Sequence, residues 1–250
     1  MRWVIGAGIG LVSACTVLTP LDDLTRGGDP GDGGSDGMSM SDAGPIQFVQ
    51  VRTTHGGSAS TNWDPMVPLQ FPVKAHDALI VAVVAFQTNT PVAMVTATDD
   101  RGDTFAASTT ILSYDGWPNL VILAAFDVAG GTTTVTVHVT SPMARGGDAI
   151  VAEYSGIRAL ETFAGQGGNK AGIETVRSGS LTTMAASSLL VGLVYTDGTA
   201  TPGTGFMTRD TSSQNETLIE DQIVTPGMHE GTATMSDAGN YWVMQTASFR

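Results

Sequence analysis

Ala78-Leu79-Ile80-Val81-Ala82-Val83-Val84-Ala85-Phe86 is an unbroken apolar run, rich in β-branched residues. It is far shorter than the roughly 20 apolar residues that a membrane-spanning helix needs. Continuous rather than alternating apolarity marks a strand covered on both faces. The run therefore predicts a central strand of an all-β domain. Leu189-Leu190-Val191-Gly192-Leu193-Val194-Tyr195 repeats the pattern in the second half of the chain.

Outward from the first run, Ile46 to Arg52 alternates apolar and polar residues, as a half-buried strand does. His55 to Trp63 reads as a Gly/Ser-rich loop. Ala93 to Thr98 reads as a strand, Asp99-Asp100-Arg101-Gly102-Asp103 as a turn, and Thr104 to Leu112 as its hairpin partner. Asn119 to Phe126, Thr132 to Thr140 and Asp148 to Tyr154 are further strands, with Gly130-Gly131 and Gly146-Gly147 as breaks. In the second half, Gly205 to Arg209, Thr217 to Val224, Gly231 to Met235 and Tyr241 to Phe249 repeat the order. Phe126 to Gly131 before a Thr-rich strand matches Gln222 to Gly227 before Thr232 to Met235. Ile150 to Tyr154 matches Met244 to Phe249. Short strands with regular turn signals predict an antiparallel β-sandwich with jelly-roll-like connections and two similar halves, spanning residues 46–250.

The composition bounds the function. The chain has 250 residues and a formal net charge of −13, which excludes a nucleic-acid partner that needs clustered Lys and Arg. Residues 15–45 carry Asp22, Asp23, Asp29, Asp32, Asp36 and Asp42 against the single Arg26, within Gly-rich sequence. Such a stretch buries too little apolar surface to offset its ordering entropy. It reads as a disordered, extended tether reaching roughly 30 Å.

Residues 1–14 have the order of an export signal: Arg2, an apolar run from Trp3 to Val12, then the small residues Ser13 and Ala14. Leu11-Val12-Ser13-Ala14-Cys15 resembles the lipobox of bacterial lipoproteins, and Cys15 is the only cysteine. The resemblance implies a diacylglycerol on the sulfur of Cys15, cleavage before it, and further acylation of the new terminus by a palmitate-type chain. Two or more chains make such attachment stable where one is marginal. Thr16 rather than Asp after the cysteine implies, by the same resemblance, the outer membrane, facing periplasm or exterior. A second resemblance covers most of residues 78–250. Ala152 to Ile157, Ser180 to Thr183, Leu189 to Gly192, Glu220 to Gln222, Trp242 to Phe249 and the turn Asp99 to Phe105 are similar to a β-sandwich module of bacterial secreted proteins. Such modules often sit beside carbohydrate-active or adhesive domains, which implies the fold and an exterior location.

Candidate sites are few. Asp99, Asp100 and Asp103 supply the hard oxygen ligands that calcium prefers, or else a solvated turn. Glu153, Glu220 and Asp221 are carboxylates of the kind glycoside hydrolysis uses, but Glu220 and Asp221 face opposite sides of one strand. His55, His76, His138 and His229 lack metal-ligand spacing, and Gly179-Ser180 lacks a nucleophile-elbow frame. Trp63, Tyr114, Trp117 and Tyr195 lie in or near expected loops, where aromatic rings stack on sugars; Trp117 is the foremost of them. Trp242 is expected in the core. The expected function is a lipid-anchored, non-catalytic module that binds a glycan or a surface protein. The alternatives are a purely structural envelope lipoprotein without a ligand and a glycan-active enzyme. No cofactor is expected apart from the calcium candidate.

Overall fold

Both long apolar runs become strands with every described side chain out of water or nearly so, and the architecture follows from covering them twice. The computed structural model describes residues 44–57, 62–87, 92, 94–116, 118–141, 144–169, 174–212, 216–236 and 241–250. The expected signal, Cys15, the expected tether up to residue 43 and Trp117 lie outside the described residues.

The first half contains β1 (Gln47–Gly56), β2 (Asn62–Trp63), β3 (Met66–Pro68), β4 (Ala78–Gln87), β5 (Met94–Asp99), β6 (Ala106–Ala107), β7 (Leu112–Ser113), β8 (Asn119–Ala125), β9 (Thr134–Thr140) and β10 (Ala144–Ser155). The second contains β11 (Leu160–Asn169), β12 (Glu174–Thr183), β13 (Ser188–Thr196), β14 (Thr199–Pro202), β15 (Met207–Thr211), β16 (Thr217–Val224), β17 (Gly227–Ser236) and β18 (Tyr241–Phe249). No helix occurs among the described residues.

The first half forms a large sheet in the order β1-β10-β4-β8, with β6 and β7 sharing the outer edge of β8. Its small sheet has β9 at the centre, β2 and β3 on one side and β5 on the other. The second half forms a large sheet β11-β18-β13-β16-β15 and a small sheet β12-β17-β14. The two orders coincide strand for strand once the broken pairs β2/β3 and β6/β7 are matched to β12 and β15. Every pairing is antiparallel. The chain is thus a tandem of two jelly-roll-like sandwiches.

The large sheets pack face to face. Ile80, Ile122 and Ile150 of the first share one apolar cluster with Val191, Leu193 and Phe249 of the second. The opposite face of β4, with Leu79, Val81 and Val83, packs on Val95, Val135 and Val137 of the first small sheet. On the second large sheet, Leu190 and Val194 likewise meet Leu181 and Val176 of the second small sheet. Four layers result, and the central strands of the two middle layers are buried on both faces. This explains why β4 and β13 do not alternate.

Polar staples cross the seam. The Tyr154 hydroxyl donates to Asp221 Oδ2 at 2.7 Å, and Arg209 Nε donates to the same oxygen at 2.6 Å. The Arg209 guanidinium sits 4.1 Å from the centre of the Phe48 ring. Farther along, Thr109 Oγ1 donates to Gln245 Oε1 at 3.0 Å, and Gln245 Nε2 to the Thr110 carbonyl at 2.6 Å.

Several local expectations are corrected. Asp99 to Asp103 is no hairpin turn: β5 pairs with β9, whereas β6 and β7 pair with β8, so the segment crosses between sheets. Gly146 and Gly147 lie inside β10, where its register shifts. A Cβ at Gly146 would stand 1.8 Å from the Gly56 carbonyl oxygen, so three strands converge there only because the residue is glycine. The strand β11 gave no alternation signal because Gly165 and Gly167 make room for Leu112 and Tyr114 lying over them.

Candidate functional site at the seam

Where β1 and β10 of the first sandwich meet the start of β16 in the second, a cleft of ≈ 340 Å³ opens. Its walls carry His55, Asp148, Ser212, Glu216 and Phe86, with Gly56, Gly57 and Gly147 leaving bare backbone. The pairing of His55 with Asp148 across β1 and β10 puts imidazole and carboxylate on the same side of the sheet. The carboxylate Oδ1 accepts His55 Nδ1–H at 2.7 Å, and Oδ2 accepts the Thr217 hydroxyl. Asp148 is therefore held by both sandwiches, and it fixes the imidazole so that Nε2 is the nitrogen with no partner among the described residues. The Glu216 carboxylate makes no hydrogen bond to another described residue. Burial, and then the neighbouring Asp148 and Asp197 carboxylates, raise its pKa above the ordinary range. The Phe86 ring stands edge-on to Tyr195, 5.3 Å between centres.

Ser212 Oγ accepts the backbone N–H groups of Glu216 and Thr217, both at 3.0 Å, which ties it to the start of β16. The cleft thus offers a fixed imidazole, an unspent carboxylate and an aromatic edge, an assembly suited to hydrogen-bonding a polar ligand.

The residues singled out from sequence fall elsewhere. Trp63 is buried in the first core, 5% exposed, not a loop aromatic; its position in β2 opposite Val139 places it there. Tyr195 is likewise a buried strand residue. Tyr114 is half-buried against Gly167, its ring 6.3 Å from that of Tyr241. Trp242 packs on the second core as expected, and its indole N–H has no partner among the described residues.

The three aspartates each serve a different backbone segment. Asp99 Oδ1 accepts the N–H groups of Arg101, Gly102 and Asp103 while Oδ2 accepts the Thr132 hydroxyl. Asp100 accepts the N–H and hydroxyl of Thr133, and Asp103 the N–H of Ala129. Among the described residues no three His, Cys, Asp or Glu side chains group so as to hold a metal ion.

Glu153, Glu220 and Asp221 are not brought together. Glu153 accepts Gln50 Nε2 and the Lys74 N–H beneath the first sandwich. Asp221 belongs to the seam, and Glu220 points the other way into the second core. His138 bridges Asp64 and Thr98, His76 pairs with Asp127, and His229 meets the Thr225 carbonyl. His55 lines the seam cleft. Sequence reasoning passed over it and Glu216 because the residues that unite them lie far apart in the chain, joined only by the stacking of the halves.

Comparison with protein-family models, curated proteins and solved structures found no match.

Proposed function

We propose that this chain is a lipid-anchored, non-catalytic binding module of the bacterial cell envelope, carried in the outer membrane by acyl chains on Cys15, and that its ligand is a glycan taken at the seam cleft. The observation that carries the binding half is the pairing of unspent polar groups, His55 Nε2 and the Glu216 carboxylate, on a scaffold whose large sheets are covered on both faces. Sugar hydroxyls donate to carboxylates and exchange hydrogen bonds with imidazole, and a preformed cleft binds them at a reduced ordering cost. The anchor half rests on the lipobox resemblance.

Two measurements test it. Intact-mass analysis of membrane-extracted wild type and Cys15→Ala should show a lipid increment in the first alone; a wild type without it overturns the anchor. Envelope glycan fragments should bind the wild type and lose about tenfold or more in affinity with Glu216→Ala or His55→Ala, the scale of one or two lost hydrogen bonds to a charged group. Equal affinity in wild type and both variants removes the seam cleft as the site.

A further inference from the structure

The walls of the seam cleft are unbalanced in hydrogen-bonding capacity. His55 has given its Nδ1–H to Asp148. The two side-chain groups left without a partner among the described residues, His55 Nε2 and the Glu216 carboxylate, are both acceptors. Among the described lining residues the Ser212 hydroxyl is the one side-chain donor remaining, and its oxygen already accepts two backbone N–H groups. Neither Lys nor Arg is among those lining residues. Arg145 precedes Gly147 by two residues on β10, and Arg209 is held by Asp221 through Nε.

The fold also gathers negative charge on this wall. The Thr196 N–H donates to the Glu216 carbonyl at 2.8 Å, which sets the end of β13 beside the start of β16. Asp197 follows Thr196, and its Oδ1 accepts the Tyr241 N–H at 3.0 Å, so its carboxylate is fixed in place. Asp148 comes from the other sandwich and is tied to Thr217 by the Thr217 hydroxyl. Burial first, then Asp148 and Asp197, raise the Glu216 pKa. Burial, then Glu216, Asp197 and Asp148, raise that of Tyr195. The three carboxylates therefore feel one another. Asp148 takes hydrogen bonds from His55 and Thr217 and Asp197 takes one from Tyr241, whereas the Glu216 carboxylate takes none from a described residue. A positive group beside Glu216 relieves the repulsion, because an opposite charge favours the ionised form.

We infer that the seam cleft selects a sugar carrying an unacetylated amino group, its ammonium shared between the Glu216 carboxylate and His55 Nε2. An ammonium has three donors and no acceptor, which matches two unpartnered acceptors. Its hydrogen bond to a carboxylate is about twice as strong as a neutral one. An N-acetylated sugar brings instead a carbonyl that needs a donor, and the described wall has little to give it. A sugar with its own carboxylate or phosphate meets three like charges and is repelled. The volume of ≈ 340 Å³ lies at the small end of the roughly 300 to 1,000 Å³ of ligand sites, which suits one sugar ring. Selection by charge rests on the glycan site proposed above and adds the class of sugar.

The test compares two probes on the full chain by titration calorimetry at neutral pH: a β-1,4-linked glucosamine trimer and its fully N-acetylated counterpart. The amine trimer should bind the wild type about tenfold or more tighter, the scale of one charge-assisted hydrogen bond. Glu216→Gln keeps the shape of the side chain, removes its charge and should erase the preference. Asp115→Asn removes one charge from an exposed turn and should leave the preference in place, which separates the cleft from general attraction to a chain of net charge −13. Equal affinity for the two trimers, or tighter binding of the acetylated one, overturns the inference; the glycan site itself stands if Glu216→Ala or His55→Ala still weakens that binding. A preference that survives Glu216→Gln, or falls as far with Asp115→Asn, belongs to the acidic surface at large and overturns it too. So does a lysine tripeptide that binds the wild type as tightly as the amine trimer, since the cleft then reads amines without a sugar. Binding of neither trimer also overturns it, and the envelope glycan fragments then decide the seam-cleft reading separately.

Discussion

The two sandwiches share a strand order and differ in what fills them. Between the sheets of the first half the core is one continuous cluster of Val, Leu, Ala and a single Trp. In the second half it is split in two, with Val176, Val194 and Met244 on one side and Leu181, Leu190 and Phe206 on the other. The divide is a cross-strand row: Glu220 on β16, Gly192 on β13 and Thr246 on β18 are directly paired. A Cβ on Gly192 would stand 2.9 Å from Glu220 Oε1, so the carboxyl side chain lies across the glycine. Oε2 accepts the Gly203 N–H at 3.1 Å, but Oε1 and Thr246 Oγ1 have no partner among the described residues. A matching row in the first half is Val81, Leu123 and Val151, wholly apolar. The topology therefore tolerates a polar row in one sandwich. It is specified by strand pattern, turns and the shared seam, and the chemistry between each pair of sheets is free to vary.

Transplanting the polar row is the severest way to break the comparison. Leu123→Glu places a carboxyl in the first core without a glycine beneath it or an N–H to meet it. The expected cost exceeds about 4 kcal/mol, enough to abolish cooperative unfolding followed by circular dichroism. Ile80→Ala removes a side chain from the seam itself. It should cost about 2–5 kcal/mol in urea unfolding, and both halves should melt together because that cluster belongs to both. Separate transitions would show that the halves are independent domains.

The reverse change sharpens the contrast. Burial pushes the Glu220 pKa up to about 8, with the Gly203 N–H lowering it and Asp221 raising it further. A carboxyl whose folded pKa lies above its unfolded value favours the folded state fully only below the unfolded pKa, near 4.5. That contribution is lost as pH rises toward 8. Glu220→Gln should therefore stabilise the protein at pH 7 by about 1–3 kcal/mol, with the difference vanishing near pH 4. A pH-independent difference would show that Glu220 is not buried as a neutral acid.

The first half has a weaker counterpart at its rim, where burial, then a hydrogen bond and repulsion from Glu153, push Asp77 up to about 6. Asp77→Asn should raise the melting temperature slightly above pH 6 and leave it unchanged below pH 4. The smallest effect concerns the seam staple. Tyr154→Phe deletes one hydrogen bond to Asp221, which keeps Arg209, and should cost about 1 kcal/mol in chemical denaturation.

The amino-acid sequence by itself determined the all-β class, the two central strands, the duplicated order and the opposite facing of Glu220 and Asp221. These follow from period-two patterning and unbroken apolar runs, which are local. It also carried the resemblance of residues 11–15 to a lipobox, on which the proposed anchor rests. The stacking of the two large sheets was decided only in three dimensions, since an unbroken run says that both faces are covered and not by what. β11 and β12 escaped notice because their glycines are made necessary by neighbours from other strands. The seam cleft was equally illegible: His55 and Asp148 meet by register across β1 and β10, and Thr217 and Glu216 join them only by the packing of one sandwich on the other. Trp63 shows the converse, an aromatic beside a glycine-rich stretch that register with Val139 draws into the core.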